Sequence, residues 1–278
     1  MITRDIAAWD GLRVRVVEWG GGDRVPLLCL PGLVRTSGDF AGMAARHGAE
    51  RRVVSLDYVG RGRSAWARSV ARYAPEAMLR DVMDVCAAMH LHRAVVLGTS
   101  FGGLLAMALG AARPGLLAGV VLNDVGPEIG REGAGRVRRF VGDDPALPDL
   151  GAVVAHLRRM LPDLSLQGPG DWSSFAALTY APGADDRWHP QWDTRIARML
   201  GTKLPDLWPL FRALSQVPLL LVHGGRSTLL LAETVARMRA ARPDMAVATV
   251  PESGHAPTLA EPAAVAALEN FLAADQLG

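Results

Sequence analysis

The chain has 278 residues, half of them apolar and 21% charged, which is typical of a soluble globular protein with one large domain or a domain carrying an insertion. Its 30 basic and 28 acidic residues leave a formal net charge of +2. So balanced a charge argues against nucleic acid or an anionic membrane as the partner.

The first twenty residues contain no long apolar core, and no apolar run is long enough to cross a membrane. Cys29 lies in a strand-like run and Cys86 in a helix-like run. We interpret both as small buried hydrophobes rather than a disulfide or a metal pair. We therefore expect a soluble, cytoplasmic protein, and the sequence carries no signal for its oligomeric state.

Short apolar runs closed by Gly, Pro or Asp alternate with helical patterns along most of the chain. Residues 12–19 alternate in polarity and predict an early, half-exposed strand. Buried strands are predicted at 25–32, 51–57, 93–99, 119–124, 217–224 and 245–251. Helices are predicted at 74–91, 101–114, 232–243 and 261–274. This order favours an α/β fold with a doubly wound, mostly parallel sheet.

The alternation stops between residues 128 and 212. This stretch contains four tryptophans and short helical pieces, and it has no obvious strand. We predict a core formed by residues 1–127 and 213–278, with residues 128–212 inserted as a helical lid. A run of ordinary surface helices is the alternative.

The segment VVLGTSFGG, residues 95–103, contains the pattern G-x-S-x-G from Gly98 to Gly102. The pattern by itself occurs by chance in many chains. Here it follows a predicted strand and opens a predicted helix, which is the context of a nucleophile elbow with Ser100 exposed at a strained turn. The sequence therefore indicates Ser100 as a catalytic nucleophile.

The chain resembles the α/β-hydrolase superfamily along nearly its whole length, least specifically in the predicted lid. The resemblance is carried by the runs LPGL, LDYVGRGRS, GTSFGG and ESGHAPTLAEP, at 30–33, 56–64, 98–103 and 252–262. It implies the α/β-hydrolase fold: a mostly parallel, eight-stranded sheet with helices on both faces and the site at the carboxyl ends of the strands. Asp57 is interpreted as a structural residue that bonds turn amides.

A general base must remove the proton from Ser100, and imidazole suits this near neutral pH. His255 follows the last predicted strand, and the order serine first, histidine last fits the superfamily. The resemblance further points to the backbone amides of Leu33 and Phe101 as the oxyanion hole.

The third member of the triad is missing from its usual place. In the resemblance, an aspartate follows the strand at 217–224, but this chain has Thr228 there. Asp124, after the strand at 119–124, is the best substitute, and capping the turn before Pro127 is its alternative role. Glu128 is a weaker candidate, and two explanations without a substitute remain: a Ser–His dyad, or an altered position 228.

The residues predict a serine hydrolase of a small carboxylic ester, thioester or lactone, acting through an acyl-enzyme on Ser100 without a cofactor or metal. The resemblance is nearest to enol-lactone and small-ester hydrolases. Arg35 and Thr99 are expected to contact substrate, with a solvated surface position as the alternative for Arg35. A carbon–carbon bond hydrolase or an acyltransferase would use the same residues. A ligand-binding protein weakened by Thr228 is the hypothesis from another class.

Overall fold

The computed structural model describes residues 1–166, 168–201 and 206–274. Within these residues, seven strands form the main sheet and two form a separate hairpin. The strands are β1 (Ile2–Ala7), β2 (Arg13–Leu30), β3 (Arg51–Asp57), β4 (Ala94–Thr99), β5 (Leu117–Asn123), β6 (Tyr180–Pro182), β7 (Trp188–Pro190), β8 (Leu219–Gly224) and β9 (Ala246–Val250). The helices are α1 (Ala41–His47), α2 (Pro75–Ala88), α3 (Phe101–Ala112), α4 (Arg131–Gly142), α5 (Leu150–Met160), α6 (Pro169–Thr179), α7 (Trp208–Arg212), α8 (Ala232–Ala241) and α9 (Pro262–Leu272).

The main sheet runs in the order β1-β2-β4-β5-β8-β9, with β3 also paired to β2. The predicted strands at 12–19 and 25–32 are the two arms of the long strand β2. Its first arm pairs antiparallel with β1 and β3, and Leu27–Leu30 pairs parallel with β4. Counting both arms of β2 gives the eight strands that the resemblance implies, and the predicted α/β class is confirmed. The patterns missed β1 because almost all of its residues are exposed.

Helices cover both faces of the sheet, so its central strands bury both of their faces. Along β2, Leu28 and Leu30 belong to one hydrophobic cluster, and Leu27 and Cys29 belong to the other. This alternation follows from the two-residue period of a strand. The first cluster packs under α2, α3 and α8, and the second packs under α1 and α9. Strands β4, β5 and β8 are buried almost throughout, which explains their continuous apolar sequence.

Residues 128–212, the inserted segment, contain α4 to α7 and the hairpin of β6 and β7. No strand was predicted here, and that expectation is wrong. Each strand of the hairpin has three residues and ends in proline, Pro182 or Pro190, so neither is long enough to show a period of two. Helix α7 contacts α3 of the core. Residues 167 and 202–205 of the predicted lid lie outside the described residues.

A buried tryptophan holds the inserted segment together. Trp192 is 1% exposed, and its ring centroid lies 5.3 Å from that of Phe140 and 5.7 Å from that of Tyr180. Its indole Nε1 donates to the carbonyl oxygen of Val141 at 2.8 Å. Burying an aromatic body while satisfying its one polar atom is how tryptophan stabilises a core.

Both cysteines are buried free thiols, as predicted. Burial raises the pKa of the Cys86 thiol to about 12. No helix in the described ranges combines the length and the apolar character that crossing a membrane requires.

Candidate active site

The turn between β4 and α3 places Ser100 at the carboxyl edge of the sheet. The serine backbone has φ 52° and ψ −117°, a region that residues other than glycine rarely adopt. A Cβ on Gly98 would lie 2.4 Å from the Gly102 backbone, and a Cβ on Gly102 would lie 2.0 Å from the carbonyl oxygen of Leu30. Close backbone approach therefore requires both glycines of the G-x-S-x-G pattern.

The imidazole of His255 lies between Ser100 and Asp124. Its Nε2 is 2.8 Å from the Ser100 Oγ, and its Nδ1 is 2.7 Å from the Asp124 Oδ2. An ionised carboxylate only accepts hydrogen bonds, so Nδ1 carries the proton and Nε2 is free to accept from the serine. The three predicted residues thus form the arrangement of a catalytic triad.

Asp124 follows β5, whose parallel neighbour β8 precedes the loop where an acid was expected. The pairing of Asn123 with Val222 brings the carboxyl ends of these two strands together. Asp124 is fully buried with φ 52°, and its Oδ1 accepts a hydrogen bond from the backbone amide of Gly224 at 2.9 Å. The carboxylate therefore spans from one strand end to the next and reaches the imidazole from the neighbouring position.

Thr228 lies on the loop after β8, on the wall of a cleft that also includes His255. Its carbonyl oxygen accepts from the backbone amide of Gly133 in α4 at 3.3 Å. A Cβ on Gly130 would lie 2.2 Å from the same oxygen, so the start of α4 packs closely on this loop.

The amides of Leu33 and Phe101 are the predicted donors of the oxyanion hole. Across the described ranges, neither amide donates a hydrogen bond to another protein group. The Tyr58 ring packs edge-on against the Phe101 ring at 5.7 Å, and its hydroxyl donates to the Pro31 carbonyl oxygen at 3.1 Å. Both amides are therefore held in place without having their donors used, which is what an oxyanion hole needs.

Arg61, which was not singled out from the sequence, binds the loop that carries Leu33. It is fully buried, and its Nε donates to the Leu33 carbonyl oxygen at 2.7 Å while its Nη1 donates to that of Val59 at 2.8 Å. Burial lowers the pKa of Arg61 to about 10, so it stays charged at neutral pH. Its signal in the sequence was its place between the two glycines of the run from Asp57 to Ser64. Asp57 itself accepts from the amides of two turn residues, the structural role predicted for it.

Arg35 and Thr99, which were expected to contact substrate, each bind neighbouring protein groups. Both carboxylate oxygens of Asp39 bind the Arg35 guanidinium, at 2.8 and 2.5 Å, and the Thr179 hydroxyl accepts from it as well. Its guanidinium carbon lies 4.1 Å from the centre of the Phe175 ring. Arg35 therefore joins the loop after β2 to α6 of the inserted segment, and it is not a solvated surface residue. The Thr99 hydroxyl accepts from an asparagine amide of β5 at 3.1 Å.

That asparagine, Asn123, is a site residue that the sequence reasoning missed. Its Nδ2 donates to the Thr99 hydroxyl and also, at 2.9 Å, to the carbonyl oxygen of Pro257 in the histidine loop. The backbone carbonyl oxygen of Asn123 accepts from the backbone amide of Ser100 at 2.9 Å. One buried side chain thus connects the nucleophile turn to the loop that carries His255.

The weaker candidates lie elsewhere. The Glu128 carboxylate binds Arg237 and accepts from the indole Nε1 of Trp208 at 2.7 Å, and these contacts lower the pKa of its carboxyl. His223 is buried with its Nε2 3.1 Å from the carbonyl oxygen of Leu230. In the described ranges, no group of three or more His, Cys, Asp or Glu side chains could hold a metal ion.

The chain matches the model of the α/β-hydrolase family over residues 27–268 and therefore belongs to that family. It is an enzyme of the hydrolase class. It is 31% identical over 272 residues to the 3-hydroxybutyrate-oligomer hydrolase of Cupriavidus necator, covering 93% of this chain and 92% of that protein.

Two solved structures resemble the fold over almost the whole chain. An α/β hydrolase from Novosphingobium aromaticivorans superposes with a TM-score of 0.92 at 37% identity, covering 98% of this chain and 97% of that one. E-2-(acetamidomethylene)succinate hydrolase superposes with a TM-score of 0.83 at 25% identity, covering 98% and 99%. These matches confirm the α/β-hydrolase fold that the sequence resemblance implies.

Proposed function

We propose that the protein is a serine hydrolase that cleaves a small carboxylic ester through an acyl-enzyme on Ser100. The observation that carries this proposal is the imidazole of His255 within hydrogen-bond distance of both Ser100 and Asp124. His255 takes the serine proton as Oγ attacks the ester carbonyl, and the amides of Leu33 and Phe101 bind the resulting oxyanion. Collapse of this intermediate breaks the ester bond, and the imidazolium returns its proton to the leaving alcohol.

Deacylation uses the same groups. Water replaces the alcohol, His255 removes one of its protons, and the new oxyanion again binds the two amides. The acid is released and the proton returns to Ser100. Throughout, Asp124 keeps the imidazole in the required tautomer and stabilises its charged form.

For the substrate, we propose linear esters of short hydroxy acids, of which oligomers of 3-hydroxybutyrate are the first to test. The support is the 31% identity, over 93% of this chain, to a hydrolase named for that substrate. The inserted segment is proposed as the lid: α4 and residues 160–164 line the cleft beside His255, and the carbonyl oxygen of Asp163 accepts from the Gly254 amide at 2.7 Å.

The hypothesis of a weakened ligand-binding protein depended on the acid missing at Thr228. With Asp124 beside His255, that hypothesis has no observation in its favour. A carbon–carbon bond hydrolase or an acyltransferase would use the same three residues, and the identity of the products separates them from an ester hydrolase.

The test is hydrolysis of the 3-hydroxybutyrate dimer and of p-nitrophenyl butyrate, with products identified by chromatography. We expect both to be cleaved by the parent and neither by Ser100→Ala. Ser215→Ala, which changes an exposed serine away from the site, is the matched control and retains activity. Absence of hydrolysis together with absence of fluorophosphonate labelling at Ser100 would overturn the proposal.

A further inference from the structure

A cleft leads away from His255 between the loop after β8 and the inserted segment. Its apolar wall includes Phe140, Leu161 and Leu229. Its charged lining consists of two arginines, Arg136 of α4 and Arg226 of the loop after β8, and one carboxylate, Asp163. An apolar cleft with a few charged groups is the usual form of a small-molecule site, in which the charged groups orient the ligand.

The two arginines differ in what they already bind. Arg136 donates to Glu132 at 2.6 Å and lies 3.7 Å from Asp163. The Arg226 side chain makes no hydrogen bond or ion pair with any residue that the structure describes. Its backbone is nevertheless held, because its amide donates to the Ser253 carbonyl oxygen in the histidine loop at 2.9 Å. Arg226 is therefore an exposed cation whose backbone is held and whose guanidinium is uncommitted among the described residues.

The position of the triad acid affects the availability of the Arg226 charge. Had an aspartate occupied position 228, its carboxylate would lie two residues from Arg226 on the same wall of the cleft. At so short a distance the aspartate carboxylate would attract the guanidinium, and this pairing would lower the affinity of Arg226 for the carboxylate of a substrate. With Asp124 supplying the acid from β5 and a neutral Thr228 on the wall, Arg226 stays available.

The chemistry decides which half of the substrate lies in this cleft. His255 must donate a proton to the leaving oxygen, so the leaving group lies on the imidazole side of Ser100. The residues that line the cleft include His255 but not Ser100. The cleft therefore receives the alcohol half of the ester rather than the acyl half.

We propose that Arg226 binds a carboxylate on the leaving alcohol, so that the enzyme prefers oligoesters of hydroxy acids that end in a free carboxyl group. This inference rests on the proposed function and defines its substrate class. The carboxylate remains ionised throughout, and only the ester C–O bond breaks, with its oxygen protonated by His255. A guanidinium suits this task because it binds a carboxylate through two parallel N–H donors.

The test compares the 3-hydroxybutyrate dimer with its methyl ester, which differs only in lacking the charge. In the parent, kcat/KM is expected to be higher for the free acid. Arg226→Met is expected to lower the ratio of the two kcat/KM values about 10- to 100-fold, the usual effect of a charge-assisted hydrogen bond. Arg136→Met, which removes the already paired arginine of the same cleft, is the matched control and is expected to change this ratio by less than about threefold.

A binding measurement separates failure of this inference from failure of the proposed function. Calorimetry on Ser100→Ala, which cannot turn over, is expected to show the dimer binding at least about tenfold more tightly than on Ser100→Ala/Arg226→Met. Equal affinities, or equal effects of the Arg226 and Arg136 substitutions, would overturn the role of Arg226. Cleavage of p-nitrophenyl butyrate without any preference for the free acid would leave the esterase intact and overturn the inference.

Discussion

The carboxylate of Asp124 accepts a hydrogen bond from the backbone amide of Gly224 at 2.9 Å. Asp124 directly follows β5, and Gly224 ends β8, the strand whose following loop lacks an acid. The backbone amide at the end of β8 thus orients a carboxylate that follows β5 rather than β8. Because β5 and β8 lie side by side in the sheet, a carboxylate after β5 can bind His255 in the place of one after β8.

Replacing Asp124 with Asn is expected to lower kcat on the order of 10⁴-fold, because an amide at this position favours the wrong imidazole tautomer. Hydrolysis of p-nitrophenyl butyrate, with Ser100→Ala as the blank, measures the loss.

Thr228→Asp is the companion variant for this position. We expect it to leave the activity of the parent unchanged or reduced, because the acid is already supplied by Asp124. A large gain in activity from Thr228→Asp, or near-parental activity in Asp124→Asn, would contradict the assignment of the acid.

Asn123→Ala is expected to lower kcat about 100-fold with a small change in KM, because displacement of catalytic groups by about 1 Å has an effect of that size. The substitution removes the donor shared by Thr99 and Pro257, which joins the nucleophile turn to the histidine loop. Steady-state kinetics on a short ester, with a thermal melt to verify folding, measures the effect. Asn270→Ala, at an exposed position on α9, is the control; equal kinetics for both variants would refute the positioning role.

Gly102→Ala is expected to prevent folding or to lower the Tm by more than about 5 °C. Its Cβ would lie 2.0 Å from the Leu30 carbonyl oxygen, and strand β2 cannot move away without disturbing β4. Gly135→Ala is the matched substitution within helix α4, where the nearest atom is the end of an arginine side chain at 3.8 Å. There the gain in helix propensity, about 1 kcal/mol, is expected to raise the Tm by about 2–4 °C. Calorimetry of both variants distinguishes them, and a normal melt for Gly102→Ala would show that the turn tolerates a side chain.

His189 is expected to stabilise the protein more at acidic than at alkaline pH. Its imidazole binds Asp144 at 3.0 Å through Nδ1 and Asp185 at 3.0 Å through Nε2, and these two carboxylates raise the pKa of His189 above its usual 6.5. A folded-state pKa above the unfolded one gives stability that is complete below about pH 6.5 and is lost as the pH rises through the folded value.

Melts of the parent and of His189→Gln test this sign. The parent is expected to melt roughly 1–3 °C higher than the variant near pH 6, since the imidazole is partly exposed and its ion pairs are screened, and the difference is expected to vanish near pH 9. His92→Gln, at an exposed histidine in a different turn, is the control. A difference that grows with pH would show that the imidazole is held in its neutral form.

Much of the core could be predicted from the sequence because the apolar pattern of a strand or helix lies within its own residues. The runs that became β4, β5 and β8 are buried on both faces, and their apolar sequence reports this directly. The hairpin of β6 and β7 was missed because three-residue strands have no readable period, and β1 was missed because it is exposed. The two strands predicted at 12–19 and 25–32 are continuous in β2, and this continuity depends on pairing with β1 and β3.

The sequence by itself determined the nucleophile turn and the histidine loop, because the requirements at Ser100 are met by glycines and flanking elements within a few residues. Only the tertiary structure decided the partners that come from far along the chain. Asp124 meets His255 across 131 residues, and Arg35 meets Thr179 across 144. Which carboxylate reaches the imidazole, and whether an arginine stays free for substrate, depends on which strand ends and loops become neighbours, and long-range packing determines that.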